Sequence, residues 1–333
     1  MKAIQKVSGK QMLGSEIPNS LNASPIAVRQ RTLNGPISCN GVGLHSGAEI
    51  SLRILPAEEN SGIIFKRSDL GGSIIPGNWK YVVDTQMCTV LGNSNGDKVG
   101  TVEHLMAAFA GCGVDNAIVE INGPEVPIMD GSSACFVEMI RDSGVVELDE
   151  ARRVLRVLKE IEVLDQERKV SLKPSNRPEF GVQIVYGDHI VSHQSISLEV
   201  VNGSFCKELA EARTFGFLQE VEALRAAGLA LGGSLENSIV VDTEKGRILN
   251  DGGLRQEDEF VRHKVLDAVG DLYLSGGQII GKFEGYCSGH NLNNRLLQAL
   301  FSDKMAWTWD VASDREASFA VDGGIVALNS STT

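Results

Sequence analysis

Apolar and polar positions alternate over residues 48–55, where Ile50, Leu52 and Ile54 fall on one side of the chain. A period of two is the mark of a half-buried strand. Residues 62–65 and 116–121 read as further strands. Residues 100–111 read as a short helix: Thr101 is placed to supply the N-cap, Glu103 falls in the first turn, and Gly111 and Gly113 end it. A second helix is expected over 134–141. The polar, charged stretch 142–153 reads as a boundary. Beyond it, 154–163, 168–172, 181–186 and 190–198 are strand-like, and Ile190, Ser192, Gln194, Ile196 and Leu198 share one face. Residues 208–227 are rich in Leu, Ala, Glu and Arg and should be helical in part. The small, apolar run 223–233 is either a buried helix followed by a turn or the wall of an apolar tunnel. Residues 259–274 form the clearest helix, followed by a strand over 278–286 and a helix over 291–301. Strands and then helices, twice over, argue for an α+β class.

Four segments result: a disordered extension over 1–28, a first α+β domain over 29–148, a second over 154–312, and a weakly patterned tail over 313–333. The length of 333 residues suits two domains. No repeat of short period is visible.

Composition narrows the function classes. The net charge of −12 excludes a nucleic-acid binder that works by bulk charge. The apolar runs fall short of the ~20 residues that a membrane span needs, so no integral membrane protein is expected. The N-terminus lacks the apolar core of a secretory signal, and a cytoplasmic location is expected. The six cysteines form no C-x-x-C pair, which argues against a structural zinc site or a disulfide framework. Histidines are few: His45, His104, His189, His193, His263 and His290.

On the 259–274 helix, Val261, Val265, Ala268 and Leu272 make an apolar stripe. His263, Asp267 and Asp271 make a second row, roughly 130° around the helix. Ligands four apart on a helix can share one metal ion, although such a pair alone is ordinarily an exposed ion pair. A catalytic zinc keeps three protein ligands plus a water, and His104, His263 and Asp267 would make such a set. Glu103 stands beside His104 as a base, its ionised form favoured by the helix dipole. In the plain structural reading, Glu103 only helps to cap and His104 only fills. His290 lies in a turn between a strand and a helix, where it either caps or acts; Asp271 could hold it in its cationic form. Ala212-Arg-Thr-Phe-Gly-Phe217 could line a pocket or pack its aromatics into the core. The glycines at 232–233 lack the spacing of a phosphate-binding loop.

These elements occur together, in order, with others: Gly41-Val-Gly-Leu-His-Ser-Gly47, Thr101-Val-Glu-His-Leu105, Pro127-Ile-Met-Asp-Gly-Ser132, Ala212-Arg-Thr-Phe-Gly-Phe217, Phe260-Val-Arg-His-Lys-Val-Leu-Asp267, Gly270-Asp271 and Ser288-Gly-His290. Over about 30–309 the chain closely resembles the zinc-dependent UDP-3-O-acyl-N-acetylglucosamine deacetylases of lipid A (lipopolysaccharide) biosynthesis in Gram-negative bacteria. The resemblance implies two similar layered sheet-and-helix sandwich domains with the active site between them. It implies loss of acetate from the 2-acetamido group of a UDP-linked, 3-O-acylated glucosamine. It makes His104, His263 and Asp267 the ligands of one Zn2+ ion, a set that Fe2+ could also occupy. Glu103 becomes the base that activates water, and His290, held by Asp271, the acid and oxyanion stabiliser. Thr214 bonds the oxyanion. Lys264, Phe215, Phe217, Met87, Cys88 and Gly233 contact substrate, the last within the acyl-tunnel segment 213–234. The implied partner is the UDP-sugar substrate, and a monomer is expected.

Two departures stand out. Residues 1–28 are extra, and Cys287 occupies a position that is usually basic, which leaves one cation fewer near a diphosphate. His45 lies in a shared motif without an assigned role, and His189 and His193 have none. Two rivals remain. A zinc amidase of the same fold acting on another acylated amide would lack the tunnel. A non-catalytic scaffold would have lost a ligand or Glu103, and none is lost.

Overall fold

The alternation survives as burial. In strand Glu49–Pro56, Ile50, Leu52 and Ile54 are buried while Glu49, Ser51 and Arg53 face out. The computed structural model describes residues 28–187, 190–201 and 203–313. Of the expected N-terminal extension only Val28 falls within them; His189 and the tail beyond residue 313 lie outside the described residues.

Strand Glu49–Pro56 belongs to a five-stranded sheet in the order Ile37–Val42, Glu49–Pro56, Ala117–Ile121, Ile63–Arg67, Ser73–Pro76. Its pairs are antiparallel except Ile63–Arg67 with Ala117–Ile121. A seven-stranded sheet is organised around Gln278–Tyr286. That strand runs parallel to Arg153–Val157 and Pro178–Val185 and antiparallel to Arg168–Lys173. Two three-stranded sheets, Val82–Asp84, Val90–Gly92 and Lys98–Val99, and Phe215–Phe217, Ile239–Asp242 and Arg247–Ile248, stand beside a two-stranded one, Arg29–Leu33 with Val145–Ala151. The helices are α1 (Glu103–Cys112), α2 (Ala134–Ser143), α3 (Ser204–Glu208), α4 (Leu218–Ala226), α5 (Glu259–Tyr273) and α6 (His290–Ser302). The architecture is α+β, as the order of patterns predicts.

Several local expectations are corrected. The polar stretch 142–153 is mostly a strand, Val145–Ala151, paired with Arg29–Leu33. A two-stranded ribbon has little to bury, so its sequence reads as a linker. The expected 154–163 strand is two, Arg153–Val157 and Ile161–Asp165. The 190–198 strand starts only at His193. Thr101 does not cap α1: the N-cap position is Val102, with no side-chain cap. Thr101 instead takes φ +52 and donates its hydroxyl to Glu125 Oε2 at 2.9 Å. Gly111 lies inside α1, and Gly113, with φ +68, ends it. Within 208–227 the long helix is only α4, and none of its residues is buried, so it is no buried helix.

Two buried helices position the site. α1 buries every residue except Ala110, and α5 every residue except Arg262 and Lys264. The His263–Asp267–Asp271 row is therefore buried, not solvated. α1 packs against α2, α3 and α5, and α5 also packs against α6 and strands Pro178–Val185, His193–Glu199 and Gln278–Tyr286. The helices are in close contact at Gly270, where a Cβ would lie 2.0 Å from the Glu103 carbonyl oxygen, so only glycine permits the contact. The start of α5 is fixed by Glu259, which is fully buried and accepts hydrogen bonds from the Arg213 backbone and guanidinium and from the Arg255 N–H. One hydrophobic cluster joins Phe65 and Phe109 to Phe260 and Phe283.

Candidate active site

α1 begins with Glu103 and His104, and α5 presents His263 and Asp267 one turn apart, so the α1–α5 contact brings all four together. Asp267 Oδ1 lies 3.3 Å from His263 Nε2 and 3.6 Å from His104 Nε2. The two imidazole rings are 5.0 Å apart at 79°. His263 Nδ1 donates to the Ala212 carbonyl at 3.0 Å, leaving the Nε2 lone pair directed at the convergence point. Ser133 Oγ donates to the His104 carbonyl at 2.8 Å. Burial, the largest influence, lowers the His263 pKa to about 3, so the ring is neutral. Burial opposes ionisation of Asp267, but the Lys264 ammonium and the His290 imidazolium help to pull its carboxyl well below the usual range.

Asp267 Oδ1 is buried and has no hydrogen-bond partner within the chain. An orphaned carboxylate oxygen facing two imidazole nitrogens is costly unless a cation meets it. The donor set, two imidazoles and a carboxylate, is that of an open catalytic metal site. Among the described residues this is the one such cluster, and its residues fit a divalent ion.

Beside it lies an acid–base pair. Glu103 Oε1 is 3.7 Å from His290 Nε2, while its Oε2 accepts the Thr89 N–H at 3.1 Å. Burial raises the Glu103 carboxyl above its ordinary value, against the pull of His290 and His104. His290, the first residue of α6, donates from Nδ1 to Asp271 Oδ2 at 2.9 Å. Burial would lower its pKa, but Asp271 and Glu103 outweigh burial and lift it to about 10. Asp271 also accepts from the Thr89 hydroxyl at 2.6 Å and the Asn293 amide at 2.9 Å.

The group opens into a cavity of about 690 Å³. Met87, Thr214, Phe215, Phe217, Gly233 and Lys264 all line it. Cys88 does not; it is buried, and burial and the nearby Glu103 push its thiol up to about 12. Thr214 is fixed by its N–H on the Gly131 carbonyl and by its own carbonyl accepting from Ile239. Phe215 packs on Phe260 and also faces the cavity, so both readings of the aromatic pair hold. Lys264 donates to Asp267 Oδ2 at 2.9 Å and sits 5.4 Å from the Phe215 ring centre. Leu218, Val221 and Leu224 of α4 form an apolar wall with Leu235, Val240 and Leu249. Cys287 takes φ +49 with its thiol towards the Val185 carbonyl and does not line the cavity, whereas Arg168, Arg225 and Lys264 do.

Sequence reasoning missed two contributors. His45 lines the cavity; its Nδ1 accepts the Ala230 N–H at 3.4 Å, and its buried Nε2 has no partner within the chain. Thr89 has the contacts given above. A weak signal exists only in the backbone: Met87, Thr101 and Ala230, all lining the cavity, have φ of +66, +52 and +53. Strained non-glycine residues of this kind gather at functional sites. His193, at the start of its strand, is exposed and contacts Gln183.

An α+β fold that converges two histidines and an aspartate beside a buried glutamate has the layout of a metal-assisted hydrolase. The UDP-3-O-acyl N-acetylglycosamine deacetylase family profile matches residues 30–302. Proteins named UDP-3-O-acyl-N-acetylglucosamine deacetylase are similar along most of their length. That of Chromohalobacter salexigens is 48% identical over 283 residues, covering 84% of this chain and 92% of its own. That of Acidithiobacillus ferrooxidans is 46% identical over 305 residues, with 91% and 99% covered. That of Shewanella frigidimarina is 44% identical over 302 residues, with 89% and 98% covered. The chain belongs to this deacetylase family and is an amidohydrolase. Among the described residues no helix is long and apolar enough to cross a membrane.

Proposed function

We propose that this chain hydrolyses the 2-acetamido group of UDP-3-O-(3-hydroxyacyl)-N-acetylglucosamine, releasing acetate and the free amine, as an early committed step of lipid A biosynthesis in the cytoplasm. The observation that carries this is the meeting of His104, His263 and Asp267 beside Glu103 and His290, at one end of an apolar-walled cavity. The relatives' names supply the substrate. The site draws on both units read from the sequence, 29–148 through α1 and 154–312 through α5 and α6.

His104, His263 and Asp267 would hold the zinc ion. When bound there, zinc supplies Lewis acidity, polarising the amide carbonyl and acidifying water. Glu103 accepts the proton of the attacking water at Oε1, the oxygen left free by the Thr89 N–H. His290, kept cationic by Asp271, directs Nε2–H at the developing oxyanion and then protonates the leaving amine. Thr214 adds a hydroxyl donor from the cavity rim. The wall built by α4 and the loop to Gly233 takes the acyl chain, at ~0.8 kcal/mol for each buried CH2. Phe215, Phe217 and Met87 shape the sugar and acyl region, and Lys264 meets the phosphate-bearing end.

The purified chain is expected to carry about one zinc per chain and to release acetate from the UDP-linked acyl sugar, with chelation abolishing turnover. Elemental analysis and an acetate assay check this. A metal-loaded chain that leaves the substrate intact would sink the proposal; equal turnover of an acylated amide lacking the UDP-sugar would favour a broader amidase.

The pH dependence has a definite sign. Activity falls at low pH as Glu103, raised by burial, takes a proton and ceases to be a base. It falls at high pH as His290, held up to about 10, loses its proton and ceases to be a cation. Asp271→Asn removes the charge that offsets burial of the imidazolium and that also raises Glu103, so the basic limb should move to lower pH and the acidic limb should shift the same way. A pH profile of kcat/KM with an unmoved basic limb would show that Asp271 does not tune His290.

A further inference from the structure

We infer that Thr89 is a positioning residue for this reaction, one that holds the Glu103 and Asp271 carboxylates at the same time and thereby sets the base against His290. The inference rests on the acid–base reading given above.

Thr89 is 1% exposed and immediately precedes strand Val90–Gly92. It is engaged on three sides. Its N–H donates to Glu103 Oε2 at 3.1 Å. Its hydroxyl donates to Asp271 Oδ1 at 2.6 Å. Its carbonyl accepts the N–H of Val102, the N-cap residue of α1, at 3.4 Å. The first and third bonds tie it to the start of α1, and the second ties it to α5.

Each bond removes a freedom that the chemistry cannot tolerate. A glutamate carboxylate rotates readily about its last bond. With Oε2 fixed by the Thr89 N–H, Oε1 is the oxygen that faces His290 Nε2 at 3.7 Å. An ionised carboxylate only accepts hydrogen bonds, so the Thr89 hydroxyl must be the donor to Asp271. With Oδ1 occupied, Oδ2 is left to His290 Nδ1 and the Asn293 amide, both at 2.9 Å. The imidazole plane is therefore set through Asp271 by a residue that never touches it. Met87 and Cys88, next to it in the chain, have no comparable contact with either carboxylate.

The hydroxyl can be removed without moving the backbone. In the zinc-loaded enzyme, Thr89→Val keeps the shape and both backbone bonds but loses the donor to Asp271. We expect kcat to fall about 10–100-fold, the scale found when a partner that orients a site residue is lost, with KM and zinc content unchanged. Thr89→Ser restores the hydroxyl and should recover most of kcat. The downfield Nδ1–H proton resonance of His290, identified by its absence in His290→Ala, should shift or broaden in Thr89→Val and stay in place in Thr89→Ser. Should Thr89→Val not fold, the comparison of Thr89→Ala with Thr89→Ser carries the same test. A kcat for the hydroxyl-free variant that matches the unsubstituted chain overturns the inference. Equal loss in the valine and serine variants also overturns it, because it points to packing alone. Failure of the unsubstituted, zinc-loaded chain to release acetate overturns the functional reading and this inference together, so the two failures are told apart.

Discussion

Glu103→Gln should lower kcat by about 10²–10⁴-fold while leaving zinc in place. Gln matches the shape of the side chain, and its carbonyl oxygen can still accept the Thr89 N–H. The amide cannot take a proton, and the alternatives are engaged elsewhere. Asp267 belongs to the proposed ligand set, and Asp271 is occupied by Thr89, His290 and Asn293. Its neighbour His104 is unaltered, so metal content should hold. Steady-state acetate release, with zinc measured on the same sample, checks both halves. A variant that turns over like the unsubstituted chain would remove Glu103 from the mechanism.

Gly270→Ala should be as damaging from a residue that touches no substrate. The added methyl would lie 2.0 Å from the Glu103 carbonyl oxygen, 2.8 Å from its carbon and 3.1 Å from the Ala107 nitrogen. These are backbone atoms of α1, so no side chain can swing aside and the helices must separate. Overpacking of this kind costs about 1–3 kcal/mol of stability. The larger effect is on geometry, because α1 carries Glu103 and His104 while α5 carries His263, Asp267 and Asp271. A displacement of about 1 Å between reacting groups can cost 10²-fold in rate, and zinc affinity should drop with it. Gly181→Ala is the control, since its Cβ would meet nothing closer than 3.8 Å. Thermal melting, zinc affinity and kcat/KM on both variants check this. A Gly270→Ala protein that behaves like Gly181→Ala would mean that the α1–α5 spacing does not set the site.

What could be read beforehand follows a physical line. The row His263, Asp267, Asp271 was legible because helical spacing alone places it on one face. Its burial was not, since most of α5 is covered by elements that include α1 and strands Pro178–Val185 and His193–Glu199, distant in sequence. That His104 joins the row was legible only through the order of shared motifs; the physical reason, a glycine-mediated helix contact, depends on Gly270 meeting α1. Thr101 misled because a hydroxyl before a helix can cap it or turn elsewhere, and the buried Glu125 claims it. Strand Val145–Ala151 was hidden by its polarity. Thr89 left no pattern, because it acts partly through a backbone N–H; His45 stood in a shared motif, but its role was not legible because its ring's environment is set by residue 230. The apolar run at 223–233 was ambiguous by composition, and the exposure of α4 decides that its leucines serve a cavity rather than a core.

The proposed ligand triad would have a consequence for the life of the protein as well as its chemistry. His104 lies on one helix and His263 and Asp267 on another far along the chain, so the unfolded polypeptide offers no comparable chelate. Thermodynamic linkage then makes the free energy of metal capture part of the free energy of folding. Metal scarcity would thus act as a denaturing condition, lowering the amount of intact protein before any question of turnover arises.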